Sequence, residues 1–589
     1  MCPVELDNPR ILPAALFLGF MWPACNHPKR GSTDRDNSEQ CCSSTTGMDD
    51  TGDEGFSLDV PGPYRDLDID GDGSKNSRDC DDTNPNRFPG APETCGDGEI
   101  NNCDGAEQDA WQDCSVVTAD SARAELHVGT SDVDELRVVS AGDLDGDGYS
   151  DLAISRNTLF IPSDDGSEGW YAGGVFVFSP PRDGTISSSD ADSLVVGATE
   201  VPARDHLGWD LKEVGDIDGD GFDDLIAGAV DGRYDPYLEP TPGFSPSDTP
   251  TVYLLHGPLT VGSALDNTVL IGPAQSAEQC YGSMLASFPD VDGDGQDDFL
   301  TSCSVVGRLG IYSTSTEWQT PEEDALSEFE GEPIPGGGGR FGHSAGSLDA
   351  NADGIADIAI GAPSVRTVDG EESVATGTVY LFEGPFDDQH YWDSADVELR
   401  PSSSDVLEVY GGRSLRFGSA VAIADWNNDG LDDLSVGIPY YSTDGTQFNG
   451  AVAIFLGPYD DSGGLSDADV LIYGDATTAL IGGDLDTQAD LNLDGSTDLV
   501  IGNGFIEVFG GESYQSASRS FLNAHAFFGP FESGHFVASD ADIRFDFTGE
   551  DTFLGAQVET LTDSNGDGWP EVLVSDGSTL TYLFDMPTW

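Results

Sequence analysis

Seven nine-residue stretches of this chain place carboxylates or carboxamides at positions one, three, five and nine and glycine at position six. Hard oxygen donors on a glycine-bent loop suit a divalent cation, with calcium the best match to an all-oxygen set. The candidate ligands of the first copy, DLDGDGYSD, are Asp143, Asp145, Asp147 and Asp151, with the backbone carbonyl of Tyr149 at position seven. The second offers Asp216, Asp218, Asp220, Asp224 and the Phe222 carbonyl; the third Asp290, Asp292, Asp294, Asp298 and Gln296. From the fourth onward an asparagine stands at position three: Asp349, Asn351, Asp353, Asp357 with Ile355, then Asp425, Asn427, Asp429, Asp433 with Leu431. The sixth has Asp490, Asn492, Asp494, Asp498 with Ser496, and the seventh Asp563, Asn565, Asp567, Glu571 with Trp569. Losing one charge without losing the oxygen predicts weaker binding in the last four.

An EF-hand would need a bidentate glutamate at position twelve and flanking helices. Position twelve is instead Ile154, Ala227, Thr301, Ile360, Val436, Ile501 and Val574. These are strand residues, so the loops join strands. The copies start 73, 74, 59, 76, 65 and 73 residues apart, which identifies a repeat architecture. Each repeat shows a strand before the loop, one after it (Leu225-Ile226-Ala227), one near a glycine (GTVYLFEGP from Gly377) and a fourth such as SDADVLIYG from Ser466. Seven four-stranded units predict an all-β fold, a seven-bladed β-propeller. The seventh repeat shows only three strands, ending in Leu580-Thr581-Tyr582-Leu583-Phe584, and ADSARAELHVG from Ala119 has the fourth-strand pattern. Their pairing is expected to close the ring and remove an exposed edge.

Phe-Gly or a relative opens strand one (Leu207-Gly208, Tyr281-Gly282, Phe341-Gly342, Phe417-Gly418, Leu554-Gly555), and Gly-Ala-Pro or a variant ends strand two (Gly228-Ala229-Val230, Gly361-Ala362-Pro363, Gly437-Ile438-Pro439). With the acidic loop between them, these residues resemble the FG-GAP repeats of the integrin α-subunit N-terminal propeller. The resemblance implies the propeller fold and up to seven structural calcium ions. Copies six and seven lack Gly-Ala-Pro, and copy three reads Thr301-Ser302-Cys303.

Residues 64–114 form a separate acidic, cysteine-bearing module. Asp68, Asp70, Asp72 and Asp79 lie at loop spacing for one more calcium ion. Asp79-Cys80-Asp81-Asp82, Asn84-Pro85, Pro89-Gly90-Ala91 and Asn101-Asn102-Cys103-Asp104-Gly105 resemble the metal-binding repeat of exported bacterial proteins of the MopE type. No histidine lies between His27 and His127, which argues against copper; calcium or a purely disulfide-braced spacer are the readings left.

The apolar run Ile11 to Ala24 has the length of a signal-peptide core, so residues 1–25 read as a leader. Ala24-Cys25 resembles the end of a bacterial lipobox, which would anchor the chain to a membrane through Cys25; ordinary cleavage nearby is the alternative. Residues 26–63 are polar and read as a flexible tether, and residues 115–589 as the propeller. Ten cysteines fit an oxidising compartment, with Cys280 and Cys303, inside one repeat, expected to pair.

With 109 Asp and Glu against 23 Lys and Arg, the net charge of −86 argues against a nucleic-acid partner and for a monomer kept apart by repulsion. Seven divalent ions would offset only 14 of these charges. Gly342-His343-Ser344-Ala345-Gly346 matches a hydrolase nucleophile elbow but occupies a strand-one slot followed by an acidic loop. No enzyme is expected. The reading is an exported, cell-surface or secreted, bacterial calcium-binding adhesion or recognition protein. A protein or carbohydrate ligand would meet the face opposite the acidic loops, where 231–250, Trp170-Tyr171 and Tyr440-Tyr441 supply aromatics. The alternatives are a non-catalytic accessory propeller of a hydrolase system or passive metal-binding coat material.

Overall fold

The computed structural model describes residues 116–586 with breaks, the longest at 130–135, 163–169, 198–205, 231–250, 272–280, 403–414, 504–522 and 548–554. The leader, the tether and the acidic module with Asp68, Asp70, Asp72 and Asp79 lie outside the described residues.

Short runs of β-branched and aromatic residues between glycine and aspartate turns give seven antiparallel four-stranded sheets, each one blade of a β-propeller. The second blade runs Leu207–Gly215, Asp224–Ala229, Val252–Leu255 and Thr268–Ile271 from the axis outward. Each first strand touches the next blade's first strand, and Gln557–Leu561 of the seventh touches Leu136–Ser140 of the first, so the ring is closed. The seventh blade takes its outer strand from Ala124–His127, antiparallel to Leu580–Asp585 with Leu126 opposite Thr581.

Because strand side chains alternate, each sheet is apolar on both faces and buries one against each neighbour. Val379 and Leu381 enter the seam with the fifth blade, while Tyr380 and Phe382, between them in sequence, enter the seam with the third. Seven apolar clusters result, one per seam; the closing seam holds Leu126, Ile154, Phe176, Leu573 and Leu583.

The two glycine signatures meet across these seams. A Cβ on Gly228 would overlap the carbonyl of Gly282 in the next blade, and Gly361 stands in the same relation to Gly418 and Gly437 to Gly482. The strand-one glycines also hold left-handed backbone, with φ of 91° at Gly282 and 84° at Gly418, where a side chain would be strained. Three blades replace the second glycine by serine, Ser155, Ser302 and Ser575; Ser155 and Ser302 donate their hydroxyls to the carbonyls of Gly208 and Gly342, both at 2.6 Å. The sixth blade keeps Gly502 against Gly555 although Gly-Ala-Pro is gone.

A fifth edge strand was absent from the four-strand reading. The segment preceding the fourth strand of a blade crosses to the previous blade and pairs in parallel with its outer strand. Gly184–Ser187 pairs with Ala124–His127, Gln389–Tyr391 with Ser327–Glu330, and Gly534–Val537 with Val470–Tyr473. Val116–Thr118 does the same to Ile543–Asp546, so residues 116–127 supply both the strap and the outer strand of the seventh blade.

Candidate metal centres

All seven acidic loops join strands one and two on one face of the ring and share one fold. The position-one carboxylate turns inward: Asp143 accepts the N–H groups of Gly146 at 2.7 Å, Asp147 at 2.9 Å and Gly148 at 2.8 Å. Its counterparts Asp216, Asp290, Asp349, Asp425, Asp490 and Asp563 each accept the position-six N–H at 2.7–3.0 Å. Glycine is needed at position six because φ there is 80–96°. Position three accepts from position five (Asp145 from Asp147, 3.1 Å; Asn351 from Asp353, 2.9 Å), and position five from position seven (Asp147 from Tyr149, 3.0 Å; Asp567 from Trp569, 2.9 Å).

Position nine behaves differently from the others. Asp151, Asp224, Asp298, Asp357, Asp433, Asp498 and Glu571 are at most 1 % exposed, whereas most of the other loop carboxylates are open to water. One oxygen of each accepts the position-two N–H, as Asp151 does from Leu144 at 2.9 Å and Glu571 from Ser564 at 2.8 Å. In four blades the second oxygen accepts the glycine N–H of the turn after strand three: Gly257 to Asp224, Gly384 to Asp357, Gly457 to Asp433 and Gly529 to Asp498, at 2.7–2.9 Å. The first and third blades lack that Gly-Pro turn, and Oδ1 of Asp151 and of Asp298 is buried without a hydrogen-bond partner. In the seventh, Arg123, just before the closing strand, donates to Glu571 Oε1 at 3.1 Å and to Asp585 at 3.0 Å. This second use of position nine, as a clamp between two turns, was missed; the recurring Gly-Pro of HGP, EGP, LGP and FGP was its signal.

Among the described residues three groups gather ligand oxygens within 4.8 Å of one another: Asp143, Asp145 and Asp151; Asp216, Asp218 and Asp224; Asp290, Asp292 and Asp294. These are the three loops with four aspartates. Burial pushes Asp151 and Asp298 up to about 7, against the Ser179 hydroxyl beside Asp151 and the Val291 N–H on Asp298, with the neighbouring loop carboxylates adding to the rise. Burial raises Asp498 to about 7 and Asp433 to about 6, against the two N–H groups each accepts. It also raises Asp357, and Glu571 despite Arg123. A bound cation would offset this cost of burying charge.

In the second loop His256, just after strand three, places Nδ1 3.3 Å from Asp218 Oδ2 and 3.7 Å from Asp224 Oδ1. Its pKa is raised, chiefly by Asp224, with burial opposing.

A second charged group lines the inner strands of four successive blades. Arg137 faces Asp210 at 3.5 Å; Asp210 accepts the Leu285 N–H and Asp484 the Val558 N–H, each from the following blade. Asp486 accepts the Thr560 hydroxyl at 2.6 Å, and Glu559 the Ser140 N–H. Burial raises Asp210, brings Asp484 to about 6 and raises Asp486 and Glu559, while Lys212 pulls the last two down.

The elbow-like serine, Ser344, lies in a strand and donates to the Gly418 carbonyl at 3.1 Å, a seam contact. On the opposite face Phe160 and Tyr171 are exposed on a small hairpin, with rings 5.4 Å apart, edge to face. Tyr440 is buried beneath the Arg416 guanidinium, and Tyr441 packs on Tyr473. Cys303 is buried and disulfide-bonded; Cys280 lies outside the described residues. Among the described residues no helix is long and apolar enough to cross a membrane.

The FG-GAP repeat family matches residues 137–158, 341–382 and 417–455, and the family described as "Putative metal-binding motif" (the MopE type) matches residues 79–109. The chain is 34 % identical over 199 residues to phosphatidylinositol-glycan-specific phospholipase D of Bos taurus, 32 % of this chain and 22 % of that protein. It is 27 % identical over 289 residues to integrin alpha pat-2 of Caenorhabditis briggsae, 46 % and 20 % respectively. It is 36 % identical over 166 residues to integrin alpha-IIb of Mus musculus, 28 % and 14 %. The chain thus spans about a fifth of the length of the curated relatives it matches.

Proposed function

We propose that this propeller with FG-GAP repeats is an exported recognition protein whose acidic loops hold calcium as a structural ion, leaving the opposite face to meet a protein or carbohydrate ligand. The observation that carries the calcium reading is Asp151 Oδ1: a fully buried, unpartnered carboxylate oxygen in a group that also contains Asp143 and Asp145. Asp298 has a like buried oxygen in the third blade, where the gathered ligands are Asp290, Asp292 and Asp294. In each loop the side chains at positions one, three, five and nine and the position-seven carbonyl would form the shell, with water. Such an ion draws the strand-one-to-two turn onto the blade and contributes about 2.7 kcal/mol per site at a hundredfold excess over Kd.

Calorimetric calcium titration of the chelator-treated protein, read beside thermal melts with and without chelator, tests this. Binding with a chelator-sensitive melting temperature is expected, and a melting temperature indifferent to chelator overturns the reading.

For recognition, Phe160 and Tyr171 offer exposed aromatic area on the face away from the loops, as contact surfaces for sugars and proteins do. The integrin relatives are consistent with an adhesive, extracellular role. The double substitution Phe160→Ala with Tyr171→Ala should abolish hits on a glycan array or in a cell-surface pull-down while leaving the melt unchanged. Undiminished binding would move the ligand site elsewhere. Asp68, Asp70, Asp72 and Asp79 would hold one further calcium ion, and Cys25 the anchor, which fatty-acid labelling of Cys25→Ser against the native chain decides.

A further inference from the structure

We infer that the second blade's loop is a mixed oxygen and nitrogen centre, in which His256 joins Asp218 and Asp224 to hold a borderline divalent metal such as zinc rather than calcium alone. The inference deepens the calcium reading and rests on its placement of cations in the loops.

Three observations carry it. First, His256 occupies the place directly opposite position nine, where the other blades have Ser179, Ser313, Glu383, Leu456, Phe528 and Asp585. Only the second blade offers a nitrogen donor there. Second, His256 Nδ1 is shielded from solvent and stands 3.3 Å and 3.7 Å from carboxylate oxygens of Asp218 and Asp224. Donors that share one ion at about 2.1 Å are separated by roughly 3.0 to 3.5 Å, so the spacing is that of ligands around a common metal. Third, Nε2 lies 2.9 Å from the Thr268 hydroxyl. With the Nε2 proton donated to Thr268, a metal ion would take the Nδ1 lone pair in place of the proton that Asp218 and Asp224 favour there. Metal-bound imidazoles are oriented in the same way, by a partner on the remote nitrogen.

Calcium prefers oxygen and gains little from imidazole, whereas zinc, cobalt and manganese accept nitrogen readily. The second loop should therefore take such a metal even when calcium saturates the others.

The test uses the full chain, stripped with chelator and returned to millimolar calcium, then titrated with zinc and, separately, with cobalt. The native protein should retain one zinc more than His256→Gln, and its cobalt complex should show a visible band that the variant lacks. Thr268→Val should weaken that zinc at least about tenfold. Calcium binding by His256→Gln should stay native, which separates the two readings. Equal zinc uptake by native protein and variant, with calcium binding intact, overturns this inference and leaves the calcium proposal standing. If no loop binds calcium, that proposal falls, and the His256-dependent zinc equivalent alone decides this one.

Discussion

Gly228 and Gly282 meet backbone to backbone across the seam between the second and third blades, so close that a Cβ on the first would overlap the carbonyl of the second. The glycines of the two sequence signatures are thus partners in neighbouring repeats, and what they share is the approach of one blade to the next.

Gly228→Ala should therefore cost about 2 kcal/mol, since overpacking a seam forces both blades apart. Gly437→Ala, set against Gly482, should behave alike. Chemical unfolding gives the measure. A variant as stable as the native chain would mean that the seam yields and the signature has another cause.

Arg123 ties the closing strand to the seventh loop. Its side chain is 8 % exposed and that of Glu571 1 %, so removing the guanidinium leaves a buried carboxylate with only the Ser564 N–H and without its buried counter-charge. Arg123→Gln should lose about 3 kcal/mol in urea unfolding. Because burial already holds the Glu571 pKa above the ordinary glutamate value, the carboxyl of the variant will protonate more readily still. A raised carboxyl pKa gives stability that is full in acid and lost as pH rises through it. The deficit should accordingly be larger at pH 8 than at pH 5, and a pH-independent deficit would exclude charge burial as its origin.

The propeller, its seven loops and its closing strand were legible in the sequence because each is a local pattern repeated in register: carboxylates two residues apart, glycine at six, apolar runs after nine. The straps were not. Gln389–Tyr391 is a short, largely exposed segment that pairs with a strand of the preceding repeat, so nothing within its own repeat announces a strand. Arg123 and His256 escaped for a related reason, since each acts on a loop distant in sequence. Arg123 is 448 residues from Glu571. The double duty of position nine was hidden because a buried clamp and a metal ligand call for the same aspartate.

The inner-strand carboxylates predict a second pH effect. Asp210, Asp484, Asp486 and Glu559 all have folded pKa values raised by burial, so each contributes stability that falls as pH climbs from the unfolded value through the folded one. Glu559→Gln keeps an acceptor for the Ser140 N–H and removes one such charge. In chelator, its melting temperature should exceed that of the native chain at pH 8. The gap should close as pH falls toward 4.5, the ordinary glutamate value. A gap that persists in acid would point to packing rather than ionisation.

Asp433 and Asp151 separate the two uses of position nine. Both oxygens of Asp433 accept backbone N–H groups, Gly457 at 2.7 Å and Trp426 at 2.9 Å, so Asp433→Asn turns an amide hydrogen onto one of them. That should cost about 2 kcal/mol even in chelator, with the calcium increment of that site lost in addition when calcium is present. Asp151 spends one oxygen on Leu144 and leaves the other unpartnered, and burial holds its pKa near 7. In Asp151→Asn the carboxamide oxygen can keep Leu144 while the buried charge disappears. Chelated protein should then be at least as stable as the native chain, and what is lost is the calcium increment of one site, about 2.7 kcal/mol at a hundredfold excess over Kd. Paired melts of the two variants in calcium and chelator provide the comparison. Equal losses for Asp151→Asn in both conditions would make its free oxygen a packing feature and not a cation ligand.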